Sequence, residues 1–194
     1  DWLYGEFLLK YDNLKISLTE GGVGWVPYFL ERAEFTLDHH GPWTKSNFGG
    51  KRPTELFREH FLTCFIEDES GLRNRDLVGI ENILFECDYP HSDSTWPMTP
   101  ENTFRQLDNV GLSDEEINQV THLNAIKNFN FDPIAILGRE NCTVGALREQ
   151  ARQAGIDTRE KSGGGNSAKI TDRSGRMTSG EVQKLFAGEG ATAD

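Results

Sequence analysis

"NILFECDYPHSD", residues 82–93, opens as a strand and closes as a turn. Ile83-Leu84-Phe85 is an apolar, β-type run. Glu86 and Cys87 carry it to Asp88, Tyr89-Pro90 breaks regular structure, and His91 follows at once. The reading is a buried strand over 82–88 that ends on a carboxylate, with an imidazole just beyond it.

Two more segments of the same kind lie upstream. "FLTCFIED" (61–68) is an apolar strand ending on acids, and "LKISL" (14–18) alternates apolar with polar residues. Helical patterns separate them. After "LKISL" the "TEGGVGW" stretch lets the backbone turn sharply, and Pro27 starts a helix, "PYFLERAEFTLDHH". "PTELFREH" (53–60) is a short helix, and "SGLRNRDLVGI" (70–80) is a helix or turn. Past the opening stretch come "TPENTFRQLDNV" (99–110), with Thr99 as N-cap, and "LSDEEINQVTHLNAIKNF" (112–129). The second starts with a capping box, Ser113 and Glu116. "WLYGEFLLKY" (2–11) has helical spacing, and so does "TVGALREQARQAG" (143–155). Strands alternating with helices imply right-handed βαβ units and a parallel sheet, hence an α/β fold.

Composition limits the function. A net charge of -11 argues against nucleic acid and anionic membrane as partners. The pI near 4.9 and mean hydropathy of -0.56 point the same way and imply that part of the chain is solvated. Cys64, Cys87 and Cys142 are odd in number and widely spaced, which disfavours a disulfide framework and fits a reducing, cytoplasmic setting. No membrane-length apolar run or signal pattern is present. The chain opens on "DWLYGEFLLKYDNLKISL" without Met and reads as the middle of a domain, so a truncated N-terminus is expected.

Functional groups in parallel α/β folds sit at the carboxyl ends of strands. Glu20 follows the first strand, Glu67 and Asp68 the second, and Asp88 and His91 the third. Oxygen and nitrogen donors of this kind suit a divalent ion such as zinc or manganese. A solvated rim of acids, with Asp88 capping its turn, is the plainer alternative.

"LKISLTEGGVGWVPYFLERAE" together with "NILFECDYPHSDSTWP" resembles the amidohydrolase-related family of metal-dependent hydrolases and decarboxylases. The resemblance covers residues 1 to about 132 and implies the C-terminal portion of a (β/α)8 TIM-type barrel. It casts Asp88 as a metal ligand and general base. Glu20 stands just before Gly21-Gly22, where many members carry a histidine ligand, and a closer subgroup carries this Glu. His91 resembles the histidine that follows the Asp-Tyr-Pro turn, touching substrate or hydrogen-bonding a metal-site carboxylate. A turn-stabilising histidine is the alternative. Trp25 and Trp96, in loops near strand ends, are substrate-binding candidates, as is His60; loop tryptophans also pack on barrel rims. Cys87 points away from Asp88 by strand alternation.

The expected organisation is a barrel portion at 1–132, a peripheral helical extension at 133–160 and a flexible Gly/Ser-rich tail at 161–194. The family's HxH pair is absent, so this piece alone is expected to be inactive within an enzymatic parent. Its partner would be a small carboxylated or cyclic substrate; a homo-oligomer stays open. The competing reading is a non-catalytic half-barrel module whose exposed "LKISL" edge pairs with another chain.

Overall fold

Pro53 opens helix α3 (Pro53–His60), and the chain passes from it straight into strand β2 (Phe61–Phe65), buried at every position. Burial on both faces explains why "FLTCF" reads as an unbroken apolar run. The computed structural model describes residues 1–91 and 93–156. The tail expected at 161–194 lies outside the described residues.

The other elements follow chain order. Helix α1 (Phe7–Lys10) precedes β1 (Ile16–Leu18) and α2 (Val26–Thr44). After β2 come α4 (Glu69–Arg73), α5 (Arg75–Val78) and β3 (Ile83–Phe85). Helices α6 (Thr99–Asn109) and α7 (Asp114–Asn118) follow. A π-turn at Gln119–Leu123 joins α7 to α8 (Asn124–Phe129). Helices α9 (Pro133–Leu137) and α10 (Val144–Gln153) complete the described chain.

The three strands form a parallel sheet in the order β1-β2-β3. Ile16 pairs with Phe61, and Thr63 with Ile83. Strand alternation then splits the side chains between two faces. Phe61, Phe65 and Ile83 join the main core with Leu30, Phe57, Leu72 and Leu107. Leu62, Cys64 and Leu84 form a second cluster, with Ala125 against it. Such strand–helix alternation, around a central strand buried on both faces, is the C-terminal portion of a (β/α)8 barrel.

Two buried asparagines finish the hydrogen bonding of β2 and β3. Asn82 Nδ2 donates to the carbonyls of Arg58 and Phe61, both at 2.7 Å. Asn124 Nδ2 donates to those of Ile80 and Ile83, both at 2.8 Å. The Asn124 amide thus takes the place of a backbone donor beside β3. Arg75 clamps Glu116 through Nε at 2.6 Å and Nη2 at 3.2 Å, tying α5 to α7.

Several expectations need correction. The helix expected over 2–11 shrinks to Phe7–Lys10, because Glu6 sits at φ 59, outside helical space. The helix expected to stop at His40 runs on to Thr44 through Gly41-Pro42, so His39 and His40 lie inside α2. Met98, not Thr99, is the N-cap of α6. Ser113 and Glu116 do form the capping box of α7. The strands are shorter than their apolar runs: β2 stops at Phe65 and β3 at Phe85, and Asp88 stands in the loop beyond.

Candidate metal centre

The loop after β1 is shaped by an acid from the loop after β2. Asp68 Oδ2 accepts the amides of Val23 and Gly24, both at 2.7 Å, and Oδ1 accepts that of Gly71, also at 2.7 Å. This close approach requires glycine at position 22. A Cβ there would come within 3.0 Å of Asp68 Oδ2, and the backbone sits at φ +65. Asp68, grouped with the rim acids in the sequence, is spent on backbone amides. Trp25 braces the same loop, its indole N–H donating to the carbonyls of Gly21 and Gly22, both at 3.0 Å.

Glu20 starts this loop at φ 58, in the left-handed region. Its amide donates to Glu86 Oε1 at 2.6 Å. Glu86 continues the β3 ladder by one bond, its own N–H donating to the carbonyl of Phe65 at 3.0 Å. Asp88 also takes the left-handed conformation, at φ 52. Its carbonyl accepts the His91 amide at 2.8 Å, and its Oδ1 lies 2.8 Å from His91 Nδ1. The carboxylate is only 12% exposed, whereas the imidazole is 69% exposed. Two left-handed non-glycine residues at the facing ends of one site are a local cost of about 1–3 kcal/mol each, the sort of strain that concentrates at functional sites.

Ligand atoms of Glu20, Asp88 and His91 all lie within 4.8 Å of one another. A cleft of about 370 Å3 opens beside them, lined by Glu20, Gly21, Gly22, Ile66, Glu67, Glu86 and Asp93. Acids from the loops beyond all three strands therefore crowd one end of the sheet. Burial, more than charge, raises the Glu86 carboxyl above the usual carboxylate range; Glu20 and Asp88 raise it further, and the bond from the Glu20 amide opposes them. The hydrogen bond to Asp88, then its charge, raises the His91 imidazole. Negative charge concentrated in this way attracts a cation. Two carboxylates and an imidazole are a donor set that fits zinc or manganese.

Trp96 reaches the same loop by another route. It packs on Tyr89 with ring centroids 5.0 Å apart, and its amide lies 3.3 Å from Ser94 Oγ. Cys87 turns away from the centre, its Sγ 3.5 Å from Ser94 Oγ and 3.6 Å from Thr99 Oγ1. His60 is not brought to the site. It is buried at the amino end of β2, its Nδ1 2.7 Å from the Leu14 carbonyl, whereas the acids crowd the carboxyl ends. Sequence reasoning passed over Glu86. The Glu-x-Asp spacing of Glu86 and Asp88 was its signal, because alternate residues of an extended chain share a face.

The sequence profile of the family described as Amidohydrolase matches residues 1–131. Among solved structures, the chain resembles 5-carboxyvanillate decarboxylase from Sphingomonas paucimobilis, with TM-score 0.54 and 21% identity over 67% of this chain and 38% of that one. It also resembles an amidohydrolase from Mycobacterium avium subsp. paratuberculosis K-10, with TM-score 0.54 and 20% identity over 65% and 30% of the two chains. A third likeness is to IDCase from Metarhizium anisopliae in its apo form, with TM-score 0.51 and 18% identity over 66% and 37%. No curated protein matches significantly. The chain thus spans well under half the length of each of these three structures. Since the family profile covers the sheet, the Gly-rich loop and the Asp88 turn, the chain belongs to the amidohydrolase family.

Proposed function

We propose that this chain carries part of the metal site of a metal-dependent hydrolase or decarboxylase acting on a small carboxylated or cyclic substrate. The observation that carries this reading is the convergence of Glu20, Asp88 and His91 at the carboxyl end of a parallel sheet. A divalent ion, zinc or manganese, would supply a Lewis acid there.

The chain's own residues would do the rest. His91 Nδ1 occupies Asp88 Oδ1. Oδ2 is then the oxygen left to meet an ion or take a proton, and the imidazole fixes the carboxylate's orientation. Glu86 holds the Glu20 backbone, so the Glu20 carboxylate is delivered by a braced loop. Trp25 and Trp96, on the loops after β1 and β3, would wall the apolar part of a substrate. Hydrolysis and decarboxylation both lie within this reading, since each needs the same electrophile and proton carrier. A cytoplasmic setting is part of it, supported by three free cysteines. Among the described residues no helix is long and apolar enough to cross a membrane.

The test is calorimetric titration of the purified chain with Mn2+ and Zn2+. Saturable binding that Asp88→Asn and Glu20→Gln each weaken supports the reading. Occupancy unchanged by Asp88→Asn returns the carboxylate to a turn-capping role and favours a non-catalytic binding module.

A further inference from the structure

A second cavity, of about 650 Å3, lies on the helical side of β3, between α6, the α7–α8 stretch and the segment from α9 to α10. Phe85, Phe104, Leu107, Ile117, Ile126 and Leu147 give it an apolar wall. It shares no lining residue with the acidic cleft. Its size lies within the range of small-molecule sites. Part of the wall is open to solvent: Phe104 is 59% exposed and Leu147 51%. Apolar surface left open around a concavity marks a place where something binds.

The polar groups at this cavity set the charge of that ligand. Arg139 lines it, and its guanidinium makes no hydrogen bond or ion pair among the described residues, although its carbonyl accepts the Cys142 amide at 3.2 Å. Two acids near it are already engaged. Asp132 Oδ1 accepts the amides of Ile134 and Ala135, at 2.9 and 3.0 Å, and Glu101 takes Arg148 at 2.8 Å. His122 also lines the cavity, with Nδ1 3.1 Å from Thr121 Oγ1. Burial first, and the charge of Arg139 second, hold its imidazole below the ordinary value, against the pull of Asp132. It offers the cavity a hydrogen-bonding group, and the Arg139 guanidinium is the cation at the wall.

We propose that this cavity binds a small aromatic carboxylate, its ring against the apolar wall and its carboxylate on the Arg139 guanidinium. A planar guanidinium matches a carboxylate with two parallel hydrogen bonds, which a lysine in the same place would not. The site is separate from the metal centre and independent of any ion there.

The experiment titrates the full chain with 1-naphthoate in EDTA, with naphthalene-1-methanol as the uncharged control. Saturable binding of naphthoate is expected, with the control weaker. Arg139→Gln, at an exposed position, should weaken naphthoate by about tenfold or more, the worth of hydrogen bonds between charged partners. Leu147→Trp should fill the cavity and abolish binding while circular dichroism stays unchanged. Glu20→Gln should leave naphthoate binding intact and affect Mn2+ alone, so failure of either site is read separately. The proposal is overturned if naphthoate does not saturate, as when residues 157–194 or a second copy fill the cavity. Equal binding by Arg139→Gln, or loss of binding in Glu20→Gln, overturns it too.

Discussion

Glu20 and Asp88 meet within 4.8 Å although the strands that deliver them are not neighbours, β2 lying between β1 and β3. Each residue takes a left-handed backbone turn in the loop beyond its strand. The meeting depends on loop geometry as much as on strand order.

That arrangement makes the two acids interdependent. Asp88→Asn and Glu20→Gln should each weaken Mn2+ or Zn2+ binding by about a hundredfold, the upper end of what losing even an outer partner costs a metal site. The double variant should lose less than the sum of the two, since both act on one ion. Calorimetry on the four proteins is the measurement. Full additivity would mean that the carboxylates serve separate sites.

His91 should be a pH-dependent tie. Its folded pKa is raised above the ordinary imidazole value, first by the hydrogen bond to Asp88. A raised folded value means stability fully present below the unfolded pKa, near 6.5, and lost as pH rises through the folded one. The melting temperature of wild type should exceed that of His91→Gln most at pH 5–6, and the gap should narrow towards pH 8. The difference is small, because the imidazole is solvent-exposed and screened. A gap that widens with pH would reverse the assignment.

Asp68 should matter for stability more than its place among the rim acids suggests. It holds three backbone amides, those of Val23, Gly24 and Gly71. Asp68→Ala should cost about 2–4 kcal/mol, because charge-assisted bonds are lost and amides are left unpaired. Urea denaturation measures the loss. Metal affinity should also fall, since the loop carrying Glu20 loses its anchor.

Asn124→Ala should cost about 1–3 kcal/mol by stranding the carbonyls of Ile80 and Ile83. Asn124→Asp should cost more, because a carboxylate would then face two carbonyl oxygens. Chemical denaturation of the two variants orders the losses, and equal stability of wild type and Asn124→Ala would remove the amide from the account.

Legibility of the fold tracked burial. "PTELFREH" and the apolar run after it placed α3 and the start of β2 to the residue, because proline marks the helix start and both faces of the strand are covered. Ser113 and Glu116 marked the start of α7, but nothing in "QVTHL" announced the π-turn, which answers to the packing of Val120 in the core. The strand ends were overrun because Glu86 and Asp88 still alternate in sequence after the ladder has stopped. His60 could have been placed correctly from chain direction alone. A residue that precedes a parallel strand lies at the opposite end of the sheet from residues that follow one. Glu86 was hidden by Asp88, the more conspicuous acid two residues on.

The left-handed turns at Glu20 and Asp88 set two demands on the same positions in opposition. Glycine would relieve each turn, by about 1 kcal/mol at Glu20, and asparagine suits the Asp88 turn as well as aspartate does. Those are also the replacements that remove a ligand charge. Laboratory evolution for heat resistance alone should therefore erode this centre first, reaching Gly at position 20 before it touches the core. Selection that keeps the acids has to accept a less stable chain.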